Sequence, residues 1–303
     1  MKWRLKRRSA MARDWAAGRL GLGKQKRRRN MNQRWQAAML VCLLLAGCQT
    51  GESGSNGAAG PSGQPPESAV HPSDHQQQGK TSESPVDPDL QLEAKYWNIV
   101  EVQNGQKVIQ NPDNILVLVN KEQSLPPGYK PADLVVPRVP FLCADPNAEK
   151  RHMRAEAAAA LEEMFAAARR DGIELVAVSA YRSYERQQVI FAEEVRQKGR
   201  EKAVQAVAHP GQSEHQTGLA VDISSRSAGC QLTESFGATK EGQWVAAHAH
   251  EYGFIIRYPK GKEAVTGYKY EPWHLRYVGR KAAAVIKKRG LTLEEYFKVV
   301  KKV

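Results

Sequence analysis

Two segments of this 303-residue chain carry side chains whose types and spacing suit metal-assisted hydrolysis: Ser213-Glu-His-Gln-Thr-Gly-Leu-Ala-Val-Asp222 and Glu271-Pro-Trp-His274. They supply His215, Asp222 and His274 as candidate ligands of Zn²⁺. Two imidazoles and one carboxylate leave a fourth tetrahedral position for water, the pattern of a catalytic rather than a structural zinc. Such an ion lowers the pKa of its water to roughly 7 and polarises a carbonyl. Glu271, shortly before His274, is placed to serve as general base rather than ligand. Pro272 fixes its own φ and biases Glu271 toward extended backbone. A stiff strand end or turn is therefore expected, unlike the helical His-Glu-x-x-His zinc motif.

Each of these residues also has a bland reading, and it is the joint pattern that outweighs it. An isolated His215 or Asp222 would more often be a surface or capping residue. Arg182, in Ser179-Ala-Tyr-Arg-Ser-Tyr184, could simply pair with Glu185. Trp244 and Trp273 read as core or pocket-wall aromatics. His248 and His250 stand two apart, fall on different helix faces and are read as non-ligands. His209, before Pro210-Gly211, reads as a loop residue near the site entrance.

The elements that must position this chemistry are readable from periodicity and punctuation. Val100 to Ile109 predicts a hairpin around Asn104-Gly105, an accessory element at the domain edge. Ile115 to Val119 predicts a strand, and Ala155 to Arg170 an alanine-rich helix stopped by Asp171-Gly172. Leu175 to Val178 predicts a buried strand delivering Tyr181-Arg182, followed by a helix from Ser183 to Lys198. Gly218 relieves a turn before Leu219 to Ile223, a buried strand carrying Asp222. A helix from about Trp244 to Tyr252, a strand at Phe254 to Ile256 and two C-terminal helices with Lys-rich outer faces complete the reading. Together they make one α+β domain over residues 89–303, long enough to bury its own core.

The run from Val117 to Val278 resembles the VanY-type D-alanyl-D-alanine carboxypeptidases, zinc peptidases that trim stem peptides of bacterial cell walls. The resemblance rests on Leu118-Val-Asn-Lys121, Ser179 to Tyr184, the two zinc segments, Tyr252-Gly-Phe-Ile255, Arg257-Tyr-Pro259 and Glu271 to Gly279, in that order. It implies a small antiparallel sheet flanked by helices, a fold shared with hedgehog-like zinc domains. It implies Zn²⁺ on His215, Asp222 and His274, Glu271 as base, Arg182 as stabiliser of the oxyanion, and Ser213 and Gln187 as polar contacts to the peptide. The activity implied is removal of a C-terminal D-alanine from D-alanyl-D-alanine. The alternatives are an LD-carboxypeptidase acting on tetrapeptide stems and a non-catalytic wall-binding lipoprotein, and a base beside an open metal site argues against the latter.

The front of the chain bears on location. Trp35 to Cys48 is a short apolar run after Arg34, too short for a comfortable span and laid out like a signal peptide. Leu45-Ala-Gly-Cys48 resembles a lipobox, which implies a lipid anchor at Cys48, residues 31–48 as signal peptide, and a lipoprotein at the extracytoplasmic face of the membrane. Residues 1–30 carry a net charge of +11 out of the formal +13. The basic balance therefore belongs to this extension, which is read as lying upstream of a true start at Met31, and the enzyme domain is given no nucleic-acid role. Residues 49–88 are rich in Gly, Ser, Pro and Gln and read as a tether between membrane and wall. Export would permit a Cys143–Cys230 disulfide. A monomer is expected.

Overall fold

The computed structural model describes residues 87–303. The basic extension, the signal segment with Cys48 and residues 49–86 of the tether lie outside the described residues. In chain order the elements are β1 Gln91–Leu92, β2 Val100–Gln103, β3 Gln106–Ile109, β4 Gln123–Ser124, β5 Leu134–Val135, β6 Met153–Arg154, α1 Ala155–Arg170, β7 Val176–Ser179, α2 Tyr184–Lys198, α3 Arg200–Ala206, β8 Ala220–Ser224, α4 Lys240–His248, β9 Phe254–Ile256, α5 Glu263–Thr266, β10 His274–Tyr277, α6 Arg280–Arg289, α7 Leu293–Val299 and β11 Lys301–Lys302.

The expected α+β architecture is present, built on an antiparallel four-stranded sheet in the order β7-β8-β10-β9. All five residues of β8 and all four of β10 are buried, as interior strands covered on both faces require. Helix α1 packs Leu161, Met164, Phe165 and Ala168 into the main core, at the three- and four-residue spacings of one helix face. The positive φ of Gly172 ends it, with Ile173 N–H bonding back to Ala168 O at 2.8 Å. Ser183 caps α2 by accepting from Arg186 N–H. A second core lies under α6 and α7, where Leu116, Ile255, Ile286, Leu293 and Tyr296 meet.

One expectation changes. Ile115–Val119 is not a strand. Its residues are apolar, and Val117 and Val119 are buried, but its backbone groups are taken by side chains: Asn114 Oδ1 accepts from Leu116 N–H at 2.8 Å, and Asn98 Oδ1 accepts from Leu118 N–H at 3.2 Å. Local Asn bonds compete successfully with a ladder here. The Asn104-Gly105 hairpin forms as expected, with φ of +50° and +78°, but it is joined in parallel by β4 to make a three-stranded sheet. Cys143 and Cys230 are both free thiols. Among the described residues, no helix is long and apolar enough to cross a membrane.

Gly218 is the turn on which the site depends. It holds φ +66° at the end of the 3₁₀ turn Glu214–Thr217, and an added Cβ would lie 2.9 Å from Leu134 Cδ2 and 3.0 Å from Arg154 Cγ. A left-handed non-glycine residue costs about 1–3 kcal/mol before any clash. Gly218→Ala should therefore lower unfolding free energy by at least that order in denaturant titration. A variant with an unchanged midpoint would show that the turn is not strained.

Candidate active site

The antiparallel register sets Asp222 of β8 directly opposite His274 of β10, so both side chains project from one face of the sheet. The 3₁₀ turn Glu214–Thr217 brings His215 to the same point. His215 Nδ1 lies 2.6 Å from Ala180 O. Donation to that carbonyl fixes the tautomer and turns Nε2 toward Asp222 Oδ2 at 3.3 Å. His274 Nδ1 lies 2.9 Å from Asp222 Oδ1. One potential ligand atom from each of His215, Asp222 and His274 falls within 4.8 Å of the others, and all three residues are buried.

The electrostatics follow from this crowding. Burial opposes ionisation of Asp222, but His215 and His274 outweigh it and hold the carboxyl well below its usual range. Burial pushes His215 down despite Asp222. Burial also acts against protonated His274, but its bonds to Asp222 and Glu214 raise it to about 9. Glu271 is pushed up to about 7, first by burial and then by Asp222 and Glu214, against the pull of His274 and Arg182. It lines the same cavity as the three candidate ligands and Arg182. The position expected of Glu271 is a turn: His274 N–H bonds to Glu271 O at 3.2 Å, and Glu271 N–H to Tyr258 O at 3.0 Å.

Arg182 ignores Glu185. Its Nη1 donates to Gln187 Oε1 at 3.0 Å, and its backbone N–H donates to His215 O. Gln187 in turn donates Nε2–H to Ala208 O at 2.7 Å. Both polar ends of this buried amide are thus engaged inside the protein, and it reaches a substrate chiefly through the arginine it aims. Ser213 is buried in the cavity wall. Trp273 lines the cavity, whereas Trp244 packs in the core with its indole N–H on Asp171 at 2.8 Å. His209 lies in the loop before Pro210, its ring tilted against Phe191 with centroids 4.4 Å apart.

Sequence reasoning passed over a buried charge cluster beneath His274. Glu214 Oε1 accepts from Arg257 Nε at 2.7 Å and Arg276 Nη1 at 2.8 Å, while Oε2 stands 3.4 Å from His274 Nε2. Arg257 continues to Glu294 on α7 through two bonds of 2.8 and 2.6 Å. Burial acts against the Glu214 carboxylate, but the two guanidinium groups hold it ionised. The available signal was arginine in otherwise apolar strand context, at Arg257 and Arg276, together with an acid beside His215. Tyr258 was also missed; its ring stacks on His274 at 5.1 Å and 23°.

The donor set tests well for a metal. Two imidazole nitrogens and a carboxylate oxygen converge, one imidazole is oriented by a carbonyl and the other by a carboxylate, and this nitrogen-and-oxygen set suits zinc. An α+β fold with such a triad, a facing carboxylate and a fixed arginine defines a metallopeptidase-like site. The profile of the VanY family, D-alanyl-D-alanine carboxypeptidase, matches residues 150–280. Bacillus subtilis (strain 168) YodJ, named as a carboxypeptidase, is 59% identical over 215 residues, covering 71% of this chain and 78% of YodJ. The chain belongs to the VanY carboxypeptidase family. The structure of the LdcB LD-carboxypeptidase aligns with TM-score 0.69 and 59% identity, covering 71% of this chain and 100% of that one. A mutant of the vancomycin-resistance D,D-pentapeptidase VanY in complex with Zn(II) aligns with TM-score 0.50 and 36% identity, covering 60% and 98%. The family metal is zinc.

Glu214→Gln should keep the side-chain shape while weakening the hold on His274. Loss of such an outer partner typically costs about 10–100-fold in metal affinity, readable by chelator competition. Unchanged zinc affinity in a folded variant would remove Glu214 from this role.

Proposed function

We propose that the chain is a zinc carboxypeptidase that removes the C-terminal D-alanine from peptidoglycan stem peptides, with His215, Asp222 and His274 holding the metal. The observation that carries this reading is Glu271, a carboxyl with its pKa raised to about 7, in the same cavity as the triad. A binding module has no use for a base there. Zinc at the triad would polarise the scissile carbonyl and acidify water beside it. Glu271 takes a proton from the attacking water and returns it to the leaving amine. Arg182, held by Gln187, faces the negative charge that develops on the carbonyl oxygen. Removal of one such donor costs roughly 2.7–4 kcal/mol in the transition state. Ser213 offers the peptide a polar contact from the wall.

Specificity is the finer question. The resemblance read from sequence favoured D-alanyl-D-alanine cleavage. The 59% identity to LdcB, against 36% to the D,D-pentapeptidase, supports LD action on tetrapeptides instead. Conversion of tetrapeptide to tripeptide with pentapeptide left intact, followed by mass spectrometry, is the expected result; loss of one alanine from the pentapeptide would restore the DD assignment.

Mutation and pH separate the roles. His215→Ala and His274→Ala should lose both zinc and turnover, while Glu271→Ala should retain zinc by elemental analysis and lose most turnover. A near-native rate in Glu271→Ala would exclude it as base. Because Glu271 must be ionised to accept a proton, kcat/KM should fall as pH drops through its pKa. A dication at the triad pulls that pKa down, so the acid limb should lie at or below about 7.

We also propose that Cys48 is lipidated and that the tether lets the domain reach the wall from the outer membrane face. The lipobox-like Leu45-Ala-Gly-Cys48 supports this. Labelled fatty acid should be incorporated in a bacterial host and be lost in Cys48→Ser; incorporation in that variant would refute the anchor.

A further inference from the structure

Beside the catalytic cavity lies a second one of about 440 Å³, and the two share Val207, Ala208 and Tyr268 in their walls. Lys121, Arg200 and His209 line it, together with neutral polar groups such as Gln212, and no aspartate or glutamate does. Neither Lys121 nor Arg200 joins an ion pair among the described residues. Both cations are solvent-exposed, and they line one concavity to which no acid contributes, so the positive potential concentrated there makes it a site for an anion.

The lysine is held in place. Its methylene stem passes over Gly267, where an added Cβ would meet Lys121 Cδ at 3.2 Å, and its ammonium stands 4.7 Å from the centroid of Tyr268. Tyr268 packs at a tilt against Tyr258, with centroids 4.6 Å apart, and Tyr258 stacks on His274 at 5.1 Å. Two aromatic rings therefore separate the ammonium from the imidazole at the metal site. Burial and the nearby charges of Arg200 and Lys121 push His209 down, which places both cations within electrostatic reach of the same ring.

That spacing selects among the anions a peptide can offer. The terminal carboxylate of the leaving residue lies within one residue of the scissile carbonyl, and a residue spans at most roughly 3.6 Å. It cannot reach past two aromatic rings. A carboxylate on the retained, amino side can, if it sits further along the chain or on a long side chain. Resting on the carboxypeptidase reading above, we infer that Lys121 and Arg200 form a subsite for a carboxylate of the stem peptide on the amino side of the scissile bond. The subsite would make the enzyme prefer acidic stems over stems whose upstream carboxylates are amidated.

The test uses zinc-loaded protein and stem peptides in which each upstream carboxylate is present as acid or carboxamide. Wild type should favour one acid form over its amide by about tenfold in kcat/KM, the size of one charge-assisted hydrogen bond. That ratio should fall toward one in Lys121→Gln/Arg200→Gln, both exposed positions. Measurable and equal rates on acid and amide in wild type, or a ratio unchanged in the double variant, would overturn the subsite. Binding to the Glu271→Gln holoenzyme, followed by calorimetry with the same peptides, decides the matter independently of turnover. A tenfold preference for the acid there, lost in the double variant, supports the subsite even if wild type cleaves none of the peptides, a result that would overturn the proposed reaction alone. No preference in binding overturns the subsite even if cleavage is normal.

Discussion

Glu214 is the charge on which the rest of the site depends. Its carboxylate has no solvent exposure, and it is shared by Arg257, Arg276 and His274. Taking a carboxylate out of water costs several kcal/mol, repaid only when geometry and further bonds are good. Here one oxygen satisfies two guanidinium groups and the other faces an imidazole, so each partner is fixed by the others. The strands feel this directly, because Arg276 lies on β10 two residues after His274, and Arg257 directly follows β9. The register that places Asp222 opposite His274 is therefore pinned from beneath by charge as well as by the apolar residues of the sheet.

The same cluster sets the demand for a cation at the triad. In the buried cluster around His274, Glu214, Asp222 and Glu294 are acidic and Arg257 and Arg276 basic, which leaves one negative charge over. Bonds to Asp222 and Glu214 favour a proton on His274 and raise its pKa to about 9. A dication would displace that proton, since an imidazole must be neutral to ligate, and its added positive charge would favour the ionised form of Glu271. The carboxylates that raise the pKa of His274 thus also add to the burial that raises Glu271.

Much of this was legible in the sequence. His215, Asp222, His274 and Glu271 declared themselves by residue type and order, and the structure brings them to one cavity with Arg182. Helices α1 and α2 and strands β8 and β9 followed from periodicity and caps. Ile115–Val119 was misread because apolar content reports burial and not ladder bonding, and Asn98 and Asn114 claimed its backbone. The buried ion cluster was passed over for a related reason: a charged residue in a strand pattern normally signals a solvated face, and only tertiary pairing shows otherwise. Gln187 was legible as a polar residue near the site, but its bond to Arg182 depends on the course of α2, which spacing does not reveal.

The cluster also changes the meaning of the C-terminal helices. By composition they read as surface helices with lysine-rich outer faces; α6 fits this with Lys281, Lys287 and Lys288 exposed, whereas α7 exposes Lys298 and Val299. Yet α7 begins with a capping box, in which Thr292 Oγ1 accepts from Glu295 N–H and Glu295 accepts from Thr292 N–H. This box fixes the first turn, where Glu294 turns inward to Arg257 while Glu295 turns outward to Lys262. Adjacent acids on one helical turn are thus split between a buried and a half-exposed cation. The inward one completes a chain from α7 through Arg257 and Glu214 to His274. The last helix thereby helps set the geometry of a candidate metal ligand on a different element, and its contribution to the site cannot be read from its amphipathic pattern.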